Sequence, residues 1–185
     1  MTSSSHRFTP AQRALHWIMS TCIFAMLFIG IGMVSTIRPL HLELVAIHEP
    51  LGIAILLLAA LRLVLRLRRG APALPPDLPP VMKQLALLSH VALYALMFAM
   101  PLIGWAMLSA ADYPAVVFGQ TLPPIAPVNP SLHATLWTAH QVLALCFFAL
   151  ILLHLAAGLF HALVRKDGVF EAMAPTAGAD RIGER

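Results

Sequence analysis

Charge is what this sequence has least of: Asp, Glu, Lys and Arg together make up 11% of its 185 residues, against roughly 25% in soluble domains. So few polar groups cannot coat a globule, which excludes an ordinary soluble domain. Cysteine is nearly absent as well. Cys22 and Cys146 both lie inside apolar runs and form no C-x-x-C-H, so neither a disulfide framework nor a covalently attached c-type haem is signalled. They read as small buried hydrophobes. No H-E-x-x-H and no Cys cluster is present, which argues against zinc. Basic residues outnumber acidic ones, 12 to 8, and the pI is near 9.7. They sit at the ends of apolar runs and not on one soluble face, so no nucleic-acid partner is indicated.

What is present is apolar surface: 59% of the chain is hydrophobic and the mean hydropathy is +0.83. That surface must face lipid. Four stretches reach the roughly 20 helical residues that cross a hydrocarbon core, near His16 to Thr36, Leu44 to Leu65, Leu85 to Ala110 and Leu136 to Val164. The first is too long for a signal-peptide core and lacks an A-x-A-like cleavage site, so it is expected to remain as an anchor. A short turn at Ile37 to Glu43 and two proline-rich connections, Gly70 to Pro80 and Pro114 to Pro130, separate them; proline breaks helices and marks the extramembrane loops. The expected fold is an all-α integral membrane four-helix bundle over residues 1–174, with a loose tail at 175–185. Alternating passes place eleven of the twelve Lys and Arg residues on one side and Arg38 alone on the other. The excess of positive charge on the inner side then predicts both termini in the cytoplasm of a bacterial inner membrane.

Nine histidines are out of keeping with a lipid-facing inventory. With the helices alternating in direction, His16 and His90 fall near the inner face, His48 near the outer face, and His140, His154 and His161 follow one another inward along the fourth helix. His140 and His154 are 14 residues apart, about 21 Å of rise and about 40° of rotation, so they share a face at two depths. Ionisable groups are too costly in lipid to be scattered by chance. Each depth needs a second histidine from a facing helix: His48 supplies the outer one, and His16 or His90 the inner one. An iron porphyrin, a flat apolar disc whose metal takes axial imidazoles, fits this demand, and two b-type haems stacked across the membrane are the direct reading.

The residues resemble the bacterial cytochrome b561 family, related to the membrane cytochrome b subunits of respiratory hydrogenases and formate dehydrogenases. The matching features, in order, are Arg13-Ala14-Leu15-His16-Trp17, His48 with Gly52, Arg62 to Arg66, Ser89-His90, Pro101 to Gly104, and His140 with His154. The resemblance runs from about Phe8 to Phe170. It implies that His16 and His154 hold the inner haem and His48 and His140 the outer one. Spacing also favours His154, because His161 would lie about 31 Å of helix from His140, beyond the hydrocarbon core.

Two axial imidazoles leave the iron no open position, which favours outer-sphere electron transfer over oxygen activation. Such a transmembrane wire is expected to meet the quinone pool. His90 and His161, with Arg69 nearby, are the candidates for contact with a quinone, and Arg62 and Arg66, at the inner end of the second helix, for pairing with haem propionates. The family resemblance extends to superoxide oxidases, which take electrons from periplasmic superoxide and reduce ubiquinone. That is the expected function, and an electron-carrying subunit serving a periplasmic dehydrogenase or redox carrier is the alternative. A positive outer surface would steer superoxide. The outer loops carry Arg38 against Glu43 and Asp112, with Glu49 close by, while His41 and His133 add charge at mildly acid pH.

Overall fold

The computed structural model describes residues 7–175. Four long helices account for nearly all of it: α1 (Pro10–Ser35), α2 (Leu40–Arg69), α3 (Pro80–Ala110) and α4 (Pro130–Phe160). The last continues through a single π-helical turn, His161–Arg165. All four are long and apolar enough to cross a membrane, and the chain is a membrane four-helix bundle. Residues 1–6 and 176–185, which include His6, Arg181, Arg185 and most of the expected tail, lie outside the described residues.

The helices extend beyond the hydropathy runs at several of their ends. Hydropathy registers only the lipid-facing turns, whereas the helices start at their capping chemistry. Thr9 caps α1 by accepting from the Gln12 amide nitrogen at 3.3 Å, while the Gln12 side chain accepts from the Thr9 backbone at 3.1 Å. Pro10 occupies the first turn, where its missing donor costs nothing. Proline likewise opens α3 and α4, and Asn129 caps α4 through Leu132 N at 3.0 Å. The expected turn at Ile37 to Glu43 shrinks accordingly, because α2 already begins at Leu40. The loop between α3 and α4 is more ordered than expected. It folds into a small antiparallel hairpin, β1 (Val116–Val117) with β2 (Gln120–Thr121); Phe118 and Gly119 at its tip take positive φ, as a tight hairpin turn requires.

Close backbone packing joins α1 to α2, α2 to α3 and α3 to α4. Gly32 permits the first of these approaches, since a Cβ there would lie 2.9 Å from Leu44 Cδ1. Across the remaining seam, where α4 faces α1 and α2, no such extended backbone packing occurs among the described residues. The buried core sits at mid-bundle and draws on every helix: Leu15 and Met19, Ala59, Met97, and Phe147. Elsewhere large apolar side chains such as Phe28, Leu57, Leu88 and Leu145 face outward, as a lipid solvent allows.

Both ends of the bundle are tied by hydrogen bonds. At the end carrying the termini, the Gln12 amide donates to Gly70 O at 3.0 Å. The segment after α4 folds back onto the start of α1: Phe8 N donates to Ala172 O at 3.1 Å, Arg13 Nη1 to Ala174 O at 3.4 Å and Trp17 Nε1 to Met173 O at 2.9 Å. At the far end, Asn129 N donates to Ala110 O at 2.9 Å, and buried Ser109 accepts from Ile125 N at 3.1 Å.

Candidate haem and electron-transfer site

The seam lacking backbone packing is where the histidines meet. His16 of α1 and His154 of α4 have ring centroids 6.3 Å apart; nearer the far end, His48 of α2 and His140 of α4 stand 6.2 Å apart. The core residues Met19, Ala59, Met97 and Phe147 form one buried cluster with Leu15, the residue beside His16. The bundle therefore holds two histidine pairs at two depths, both using α4.

These pairs fit an iron porphyrin. A metal bound at about 2.0–2.1 Å by each of two imidazoles holds the ring centres about 6.3 Å apart, once the short distance from each nitrogen to its ring centre is added. The Nδ1 atom of His48 is buried with no hydrogen-bond partner among the described residues, an arrangement costly enough to call for a ligand. Beside His140, α3 presents Gly104, where an added Cβ would lie 3.4 Å from the imidazole Cε1. The glycine leaves the imidazole room that a side chain would narrow.

A third histidine lies in the layer nearer the termini. His90 of α3 stands 5.4 Å from His154, closer than two axial ligands of one metal, and its Nδ1 donates to the Ala86 carbonyl. The structure thus brings His90 to the His16/His154 layer and gives it a backbone partner. Arg62 lies near all three rings and beside Tyr94, with its Nη1 donating to Gln12 O at 3.4 Å. Arg66 sits over the Phe8 ring at 5.6 Å and near His90. Arg69 is exposed at the end of α2.

His161 lies apart from this layer, in the π-helical turn. Its Nδ1 donates to the Asp167 carboxylate at 2.8 Å. Arg165 Nε donates to the same carboxylate at 2.8 Å and its Nη2 to Asp77, in the α2–α3 connection, at 2.7 Å. Burial alone would raise the Asp167 pKa, but the bonds from Arg165 and His161 outweigh it and hold the carboxyl below its usual value. Asp77 and Asp167 escaped sequence reasoning, which looked for histidine and arginine. The signal was weak: an acidic residue six positions past a histidine, beyond the helix. Tyr94 was missed as well, although it follows His90 by four residues and so shares its helix face.

At the far end, Glu49 accepts from Val116 N at 3.0 Å, tying the hairpin to α2. His41 Nδ1 donates to Met33 O and His133 Nδ1 to Met107 O, so both are built into helix ends. Trp105 Nε1 donates to Pro123 O at 3.1 Å.

Four membrane-spanning helices with paired histidines stacked along one seam define a membrane cytochrome of the b type. Comparison with known families places the chain more narrowly: residues 7–176 match the family model described as prokaryotic cytochrome b561, and this protein belongs to that family of haem-bearing, electron-transferring bacterial membrane proteins. It is 36% identical over 129 residues to the probable superoxide oxidase CybB of Yersinia pestis, covering 70% of this chain and 73% of that protein. It is also 28% identical over 178 residues to cytochrome b561 homolog 1 of Escherichia coli K12, covering 92% and 98%. To cytochrome b561 homolog 2 of the same strain it is 25% identical over 182 residues, 97% of each chain.

Proposed function

We propose that this protein is a dihaem cytochrome of the bacterial inner membrane that oxidises periplasmic superoxide and reduces ubiquinone. The two histidine pairs carry the reading, at 6.3 and 6.2 Å. His16 with His154 and His48 with His140 would hold the two haems. When bound, the haems would supply one-electron outer-sphere transfer. The overall reaction balances as two superoxide anions, one ubiquinone and two protons giving two dioxygen molecules and one ubiquinol. The similarity to a probable superoxide oxidase supports the choice of donor.

The chain's own residues do the rest. Arg62 and Arg66 offer guanidinium groups to propionates at the end carrying the termini. Met19, Ala59, Met97 and Phe147 keep water out between the two depths. Of the three candidates for quinone contact, His161 takes the role. His90 has its ring 5.4 Å from His154, inside the layer of the inner histidine pair, and Arg69 is exposed at the end of α2. With Nδ1 held by Asp167, the His161 imidazolium gives its Nε2 proton to the quinone oxygen as it is reduced, and Nε2 is reprotonated from the aqueous face.

Pulsing the purified protein with superoxide in the presence of ubiquinone tests the reading. Ubiquinol is expected at one per two superoxide anions beyond spontaneous dismutation; absence of superoxide-dependent ubiquinol formation overturns it. The hairpin favours a second reading. Phe118 at its tip is 84% exposed, and a groove of about 440 Å³ opens between the hairpin and α2, lined in part by Leu42, Val45, Glu49 and Val116. A periplasmic dehydrogenase or redox carrier docking there would make the protein an electron-carrying subunit. Copurification of such a partner, together with electron delivery from it, would favour this reading.

A further inference from the structure

The proton donor at the terminal end of the bundle has a built support. A carboxylate only accepts hydrogen bonds, so the contact between Asp167 and His161 Nδ1, at 2.8 Å, keeps a proton on Nδ1 in the neutral ring and makes Nε2 the nitrogen that gains a proton to form the imidazolium and gives it up again. The carboxylate is itself held. Arg165 Nε donates to it at 2.8 Å, the Val169 backbone nitrogen donates at 3.3 Å, and Arg165 is anchored through Nη2 to Asp77 at 2.7 Å. His161 and Asp167 are both largely shielded, with side chains 12% and 10% exposed. The widened turn His161–Arg165 ends at Lys166, with φ of +52°, which turns the chain back and brings Asp167 to the imidazole. Such widened turns recur at functional sites.

We propose that Asp167 is the positioning residue for His161: clamped by Arg165 and Asp77, it sets the ring's tautomer and orientation so that Nε2 faces the quinone. This rests on the reading of His161 as the quinone-side proton donor. Asp167 neither touches quinone nor transfers the proton. It acts as a carboxylate acts behind a histidine in acid–base and metal sites, through the second ring nitrogen.

The test uses the full-length, haem-loaded protein in liposomes, with ubiquinone-1 as probe. Asp167→Asn is expected to slow reoxidation of the dithionite-reduced protein by ubiquinone-1 at least tenfold, to leave reduction by dithionite and haem content unchanged, and to be largely rescued by Asp167→Glu. A general structural defect would alter haem content as well. Nitrogen-15 spectra of labelled histidine give a readout independent of turnover: the Nδ1-protonated form of His161 is expected in the parent protein and a mixed population in Asp167→Asn. Should Asp167→Asn fail to assemble, Arg165→Gln loosens the same carboxylate and is expected to slow reoxidation to a smaller degree. An unchanged reoxidation rate in whichever variant assembles, or an unchanged tautomer in Asp167→Asn, overturns the inference. If His161→Ala itself reoxidises normally, the quinone-site reading falls with it. If His161→Ala is slow while the Asp167 and Arg165 variants are normal, only the inference falls.

Discussion

At the scale of single residues, the position opposite His140 is the most sensitive. Gly104 has 3.4 Å between an added Cβ and the imidazole, the short limit of ordinary van der Waals contact, so a branched side chain reaching beyond Cβ displaces the ring. Gly104→Leu is expected to lose the haem of the His48/His140 pair and keep the other. The same single loss is expected from His48→Ala or His140→Ala, and from His16→Ala or His154→Ala for the other layer. Haem-to-protein ratios with reduced-minus-oxidised spectra read this out; loss of neither haem, or always of both, contradicts independent layers. These histidines were legible in the sequence because helix periodicity turns a spacing of 14 residues into a shared face at two depths. Periodicity did not separate His90 from His16, since both lie near the same end; the family resemblance is what favours His16, and the ring separations from His154 are 5.4 Å for His90 and 6.3 Å for His16. Asp167 was out of reach for a different reason: its contact with His161 depends on a chain reversal after α4, which no periodic pattern encodes.

At the scale of elements, the helices owe their lengths to caps as much as to apolar runs. Thr9 and Gln12 form a capping box, and Gln12, which is buried, also bonds the last carbonyl turn of α2 through Gly70. Thr9→Ala removes one cap and is expected to cost about 1 kcal/mol. Gln12→Ala removes the cap partner and the α1–α2 tie together, so its loss should be the larger; the midpoint of thermal haem loss in detergent orders the two. Reading hydropathy alone set α1 six residues late, because the first turn of the helix carries the polar Gln12 and Arg13. The hairpin was missed since strands of two residues carry no alternation to detect. Beyond α4, the fold-back is pinned by Asp167, whose carboxyl is held below its usual value. A depressed carboxylate stabilises the fold at any pH above its unfolded value, about 3.9, and that contribution disappears as pH falls through the lower folded value. Hydrogen exchange of residues 168–174, corrected for intrinsic rates, is therefore expected to show constant protection from about pH 7 to about pH 5 and to lose it only below the ordinary carboxylate range. Loss of protection near neutral pH would mean that the Asp167 contacts do not hold the segment.

For the whole molecule, orientation decides what chemistry each end meets. The four passes put both ends of the described chain on one side of the bundle, together with Arg62, Arg66, Arg68, Arg69, Lys83, Arg165 and Lys166, while the opposite side carries Arg38. Cationic loops are retained in the cytoplasm during insertion, so the end with His16, His90, His154 and His161 is expected to face inward and the hairpin outward. Superoxide is an anion and crosses a hydrocarbon core poorly, so a donor made outside must be met at the His48/His140 end, while proton uptake through His161 draws on the cytoplasm. Orientation and reaction are thus one testable statement. A fluorescent protein fused after Arg185 should fold and fluoresce in the cytoplasm, and alkaline phosphatase inserted in the α3–α4 connection should be active in the periplasm. Inverted vesicles given external superoxide should then form ubiquinol more slowly than right-side-out ones, because the donor meets the wrong end. Equal rates in the two vesicle types, with the fusions as expected, would remove superoxide from the far end of the wire while leaving the bundle and its histidine pairs as described.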